Sequence, residues 1–211
     1  MTRAKRKQNV ITLRSAVEEF ILSRKVNGGS STTTRWYRSM FKLFVQQFGD
    51  LALDEIGRPE VRRYISTLQD QSQRFINALQ KPAQDGPLSR ETQRDHIRAL
   101  RIFFNWCVIE YGLAETPMAG IKMPPKQRRA SKHIVEEEII KLFAATGKDE
   151  NGIRDRAILA FLLDSGCRAE GLVNLTVADV DLGKIRALVD EKYDKQRLVF
   201  FSNYTAQVLK A

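Results

Sequence analysis

Two cationic side chains, Arg168 and Lys192, stand where the sequence changes character most sharply. Arg168 closes the pentapeptide Asp164-Ser165-Gly166-Cys167-Arg168. An apolar run from Ala157 to Leu163 precedes it, and a second apolar stripe follows at Leu172, Val173, Leu175 and Val177. A guanidinium presents a rigid fork of donors that can grip a carboxylate or a phosphate through two parallel hydrogen bonds. At the junction of two apolar helices it is costly unless an anion answers it. Lys192 falls in the polar stretch Asp190–Lys195, from which an ammonium can reach outward. A desolvated lysine has its pKa lowered toward the range of a useful proton donor. Donors on non-bridging oxygens and an acid for the leaving oxygen are what phosphoryl transfer asks of a protein. Each residue also has a plainer reading, as a helix-capping arginine and an ordinary turn lysine.

The elements that must position these groups are legible from periodicity. The run up to Leu163 has the density of a helix buried on most sides. Gly166 ends it, because a positive φ costs glycine nothing. Lys184–Val189 and, more loosely, Gln196–Phe200 alternate polar and apolar residues, which predicts a hairpin turning through 190–195. Upstream, Val135-Glu136-Glu137-Glu138 opens a helix with acids at its positive end, and Ile139, Ile140, Leu142 and Phe143 give its apolar face.

The N-terminal half reads as four helices. The first spans Leu13–Arg24, and the second runs from about Thr32 to Phe48 with a Ser/Thr cap from 30–33. Tyr37, Phe41, Phe44 and Phe48 form its core stripe. The third opens at Arg58-Pro59 and turns Val61, Tyr64, Ile65 and Leu68 inward. The fourth starts at a Ser89 cap and reaches about Tyr111, with Ile97, Leu100, Phe104, Cys107, Val108 and Tyr111 facing a core. Residues 69–88 are polar, a loop or a helical extension. Residues 115–126, with three prolines and then basic side chains, predict an extended linker.

Charge narrows the partner. The chain of 211 residues carries a net +10. Residues 1–131 hold 23 Lys and Arg against 12 Asp and Glu, while residues 132–211 hold 12 against 13. All of the excess therefore lies in the first part, which is the candidate for tracking a polyanionic backbone such as duplex DNA. Arg90, Arg94, Arg98 and Arg101 align along the fourth predicted helix, and Arg35, Arg38 and Lys42 share a face of the second. Mutual repulsion along such a stripe would be relieved by phosphates. Solvated faces, with Glu91 and Asp95 neutralising part of the stripe, are the plainer alternative. The two cysteines, Cys107 and Cys167, have no metal or disulfide spacing, which fits a reducing compartment. There is no apolar span of membrane length and no signal-like h-region. The expectation is a cytoplasmic, nucleoid-associated protein with no membrane partner, no small-molecule substrate and no cofactor.

The order of an apolar helix, Ser165-Gly166-Cys167-Arg168, a short helix, Val177-Ala178-Asp179-Val180-Asp181-Leu182, a strand, and then Lys192-x-x-Lys195-x-Arg197-x-Val199 resembles the first half of the catalytic domain of the tyrosine recombinases, or phage integrases. The four helices and basic linker before it resemble that family's core-binding domain. The resemblance implies a mainly α fold: a SAM-like helical core-binding domain over 1–115, a linker over 116–133, and the N-terminal part of a mixed α+β catalytic domain with a small antiparallel sheet over 134–211. It implies that Arg168 grips the scissile phosphate and Lys192 protonates the 5′-hydroxyl leaving group. A tyrosine of the complete family makes a 3′-phosphotyrosyl link that conserves the bond energy, so no ATP or metal is needed, and the family assembles as a tetramer on DNA. The sequence departs from the pattern at Gly171, where the family places an acid three positions after the arginine; Glu170 precedes it. Neither His96 nor His133 has an arginine three residues on, and Tyr204 follows the hairpin too soon to match the nucleophile. These residues thus carry about half of such an active site. A non-catalytic DNA-binding module that occupies sites or modulates a full-length enzyme is the second reading.

Overall fold

The computed structural model describes residues 10–74, 84–126, 133–191 and 195–211. They fall into two compact units, the first ending before residue 130. In the first unit lie α1 (Leu13–Val26), α2 (Ser31–Phe48), α3 (Arg58–Asp70) and α4 (Arg90–Tyr111). Polar side chains start three of them: Thr12, Ser30 and Ser89 each accept a hydrogen bond from a backbone N–H three residues on. The fourth, α3, has Pro59 in its first turn, and Glu60 reaches back to the Gly57 N–H at 2.9 Å.

The expected apolar stripes converge on one aromatic core. Phe20 touches Tyr37, Phe41, Phe103 and Trp106 edge-on, with centroids 5.0–5.8 Å apart. α4 buries a wider arc than its predicted stripe, since His96, Ala99 and Phe103 are also inside. Burial lowers the pKa of His96, although its Nδ1 lies 3.0 Å from the Met40 carbonyl and Asp95 is near. The Tyr64 hydroxyl sits 2.8 Å from the same nitrogen, and burial raises its pKa. Cys107 is a core residue, its thiol pushed up to about 12 by burial.

Two segments differ from expectation. Within the polar stretch 69–88, β1 (Gln73–Arg74) and β2 (Gln84–Asp85) pair antiparallel, so the chain returns on itself there. The segment from 116 onward is not extended at its start. Met118 is buried in the helical core, and Ile121 and Met123 pack against it. Apolar side chains that can reach a core bury there, whatever the neighbouring prolines imply about an extended chain.

The second unit is built from α5 (Glu136–Ala144), α6 (Glu150–Ser165), α7 (Ala169–Val173), the three-stranded antiparallel sheet β3 (Val180–Asp181), β4 (Arg186–Glu191) and β5 (Lys195–Phe200), and α8 (Asn203–Lys210). Its core holds Phe161, Cys167, Ala187, Val189, Val199 and Phe201. The hairpin register sets Ala187 opposite Val199 and Val189 opposite Arg197, so one sheet face turns inward toward α6 and α7. The expectation that α6 is buried on most sides is corrected. Only Gly152, Ala160 and Phe161 are buried, while Ile153 and Leu163 are exposed. A single small sheet and two short helices can cover only one face of it. No helix among the described residues is long and apolar enough to cross a membrane.

Candidate active site and nucleic-acid interface

Arg168 is positioned by the backbone on both sides of it. Gly166 adopts φ +57° at the end of α6 and donates its N–H to the Leu162 carbonyl at 3.0 Å. The Ser165 hydroxyl donates to the Phe161 carbonyl at 2.6 Å and accepts from the Cys167 N–H at 3.3 Å. Cys167 is buried, and Arg168 then takes the N-cap position of α7 with an extended backbone. The chain is thus pinned at Cys167 while the next side chain points outward, 65% exposed.

The anion that answers Arg168 comes from the hairpin. Its Nη1 donates to Oε2 of Glu191 at the end of β4. The other carboxylate oxygen lies 3.1 Å from Nε of Arg197 on β5, and the Glu191 side chain is only 18% exposed. Arg197 also reaches the Gly166 carbonyl at 3.5 Å. Glu170 is exposed and makes no ion pair among the described residues. Gly171 is buried under β4: a Cβ added there would stand 3.0 Å from the Asp190 carbonyl oxygen and 3.6 Å from Val189. Lys192, the other catalytic candidate, lies outside the described residues.

Asp164 ties the same region together. Its carboxylate accepts from the Ser202 N–H at 2.7 Å and the Thr205 hydroxyl at 2.6 Å, joining the end of α6 to the start of α8. Partial burial opposes its charge, but those hydrogen bonds hold the carboxyl below the usual range. Among the described residues no cluster of His, Cys, Asp and Glu could hold a metal ion.

The candidate DNA contacts separate into two kinds. Arg94 is largely enclosed, its side chain 17% exposed, and it donates to the Pro124 carbonyl. Its Nε lies 3.5 Å from Glu91, near enough for attraction, yet has no hydrogen-bond partner. Arg101 donates to the Ile121 carbonyl at 2.8 Å. These two arginines clamp residues 121–124 onto α4. Arg98 is exposed and pairs with Asp95 at 2.5 Å, and Arg38 pairs with Glu18 at 3.1 Å. Arg35, Lys42 and Arg90 are exposed. Sequence reasoning missed Glu191 and Arg197 as a pair. The alternation Val189-x-Glu191 against Arg197-x-Val199 was the available signal, since it places both on the inward face of the hairpin.

Residues 132–211, the segment that holds this arginine–carboxylate cluster, match the phage integrase family. Over that segment the chain is similar to the phage integrases, or tyrosine recombinases. Its relatives include the tyrosine recombinase XerC of Bacillus subtilis, 33% identical over 124 residues that make up 58% of this chain and 41% of that protein. XerC of Vibrio parahaemolyticus is 25% identical over 189 residues, 90% of this chain and 56% of the relative. The chain therefore spans about half the length of the curated relatives it matches. The fold is that of a lambda integrase dimer bound to a COC′ core site, with a TM-score of 0.71 at 15% identity over 95% of this chain and 53% of that one. A Tn1549 transposon integrase in complex with transposon right end DNA gives 0.69 at 14% identity, over 95% of this chain and 64% of that one. The expected mainly α fold with a small antiparallel sheet stands.

Proposed function

We propose that this chain binds duplex DNA and, through Arg168, grips the phosphodiester that a site-specific recombinase cleaves and rejoins. One observation carries the reading: Arg168 is exposed, fixed by the buried Cys167 beside it, and engages Glu191 through a single terminal nitrogen, which leaves donors for a phosphate. Attack on a DNA phosphorus builds charge on the non-bridging oxygens, and a guanidinium already aimed at them stabilises that charge without reorganising. Lys192 is the proposed acid for the departing 5′-oxygen. The basic N-terminal unit supplies sequence-independent attraction through Arg35, Arg38, Lys42, Arg90 and Arg98, contacts that position the protein on the duplex without specifying sequence. Arg94 and Arg101 support the same surface from behind. The lambda integrase tetramer bound to a Holliday junction supports self-association on DNA as a further part of the proposal. The domain boundaries proposed with it are a core-binding domain over 1–115 and a catalytic portion over 134–211.

The test is fluorescence anisotropy of a labelled duplex across a salt series. Each neutralised phosphate adds about 0.9 to the slope of log K against log salt. The expected slope is steep, and Arg168→Ala flattens it by about one such unit. A flat profile for the unmodified chain, or a slope untouched by Arg168→Ala, refutes the proposal. A nicked suicide duplex separates the catalytic reading from the non-catalytic one. Tyr204, half-exposed with its ring 6.1 Å from that of Phe143, follows the hairpin too soon to match the family's nucleophile, so no covalent band is expected. A covalent band lost in Tyr204→Phe would make it the nucleophile instead.

A further inference from the structure

We infer that Glu191 is a positioning residue for Arg168, fixing the face that its guanidinium presents to a DNA phosphate. The inference rests on the proposed role of Arg168 and adds a residue to it. The sheet and α7 bring the parts together. Gly171 lies against the Asp190 carbonyl with no room for a Cβ to stand at ordinary contact distance, so α7 seats directly on the end of β4. Arg168, one helical turn before Gly171, is thereby set beside Glu191, the next residue of β4. The register places Arg197 opposite Val189, diagonal to Glu191 on the same inward face.

Glu191 divides its two oxygens between two cations, Oε2 to Arg168 and Oε1 to Arg197. Without the carboxylate, two guanidiniums would face each other across a few ångströms, and the exposed Arg168 would swing away from its neighbour. With it, the trio carries one net positive charge, and Arg168 is held by one terminal nitrogen with its remaining donors free to turn outward. The carboxylate is mostly enclosed while the arginine is mostly exposed, which is the arrangement of a brace and the group it braces. Nothing on α7 replaces it, because Gly171 has no side chain and Glu170 points to solvent without an ion pair among the described residues.

Orientation and attraction then move in opposite directions when the charge is removed, and that split separates a positioning role from a merely structural one. In the 15N-labelled 211-residue chain, the rotation of the Arg168 guanidinium is followed by NMR, with inorganic phosphate as the titrant and the Arg168→Lys variant assigning the signal. Glu191→Gln keeps the shape and removes the charge. The expected result is that Arg168 rotates roughly fivefold faster or more, the scale of losing a partly exposed ion pair, while phosphate binds at least as tightly because a like charge is gone. Equal rotation rates in the two proteins, or weaker phosphate binding with rotation unchanged, would overturn the inference. If Arg168→Lys leaves phosphate binding intact, the proposed function of Arg168 fails, and the rotation measurement still decides the role of Glu191.

Discussion

The arginine stripe on α4 offers a single experiment in which structure and DNA contact predict opposite outcomes. Arg94 and Arg98 are one turn apart, carry the same charge and would be equivalent in a simple phosphate ladder. Their surroundings differ. Arg94 is enclosed to 17% exposure and donates to the Pro124 carbonyl, so truncation removes a charge-assisted hydrogen bond and leaves that carbonyl and Glu91 without it. Bonds of this kind are worth about 1.5–3 kcal/mol, and partial exposure of Glu91 draws the value to the lower end, about 1.5 kcal/mol. Arg98, 45% exposed and paired with Asp95, should cost roughly 0–1 kcal/mol. Both tryptophans of the chain, Trp36 and Trp106, belong to this helical unit, so urea denaturation followed by tryptophan fluorescence reports on it directly. Arg94→Ala should lower the midpoint with an unchanged denaturant slope and leave the salt dependence of duplex binding near that of the unmodified chain. Arg98→Ala should leave the midpoint in place and flatten the salt slope by about 0.9. The reverse assignment, with Arg94→Ala stable and flat in salt and Arg98→Ala destabilised, would refute the division of the stripe into clamp and contact.

Other consequences follow from individual sites. His96 has a folded-state pKa below its unfolded value, so its contribution is present above about pH 6.5 and is lost as pH falls from there toward the folded pKa. Tryptophan-detected stability should drop by about 1 kcal/mol between pH 7.5 and 5.5, at most about 1.4 kcal/mol per unit for one proton, and His96→Gln should remove that dependence in the window. Asp164 is depressed in the folded state, so its stabilisation holds above its unfolded pKa and is lost as pH falls through the folded one. Asp164→Asn should cost about 1 kcal/mol and raise amide exchange across residues 202–206, with the rest of the unit protected. Gly171→Asp, which would install the acid familiar three positions after the arginine, should destabilise the second unit by about 1–3 kcal/mol by crowding Asp190, as seen in calorimetry of the chain.

Much of this molecule is determined locally, and the sequence therefore displays it. Caps at Ser30 and Ser89, the stop at Gly166 and the stripe Tyr37-Phe41-Phe44-Phe48 depend on neighbours within a turn or two, and the structure places each as read. The alternation that predicted the hairpin is equally local, although its strands run to Glu191 and from Lys195. Charge distribution, a property of the sequence alone, marks the N-terminal part as the candidate for DNA.

What tertiary structure decided is which charges find each other. Arg90, Arg94, Arg98 and Arg101 look alike on a helical wheel, but only the return of residues 121–124 over α4 makes clamps of two of them. Arg168 required an anion from its position in the sequence, yet the nearby candidate, Glu170, is not the one that meets it. The partner lies 23 residues away at the end of β4, brought there by the seating of Gly171 on the sheet and by a hairpin register that also delivers Arg197. Such pairings depend on distances set by packing between elements, and a pattern of residue types within one element holds no record of them.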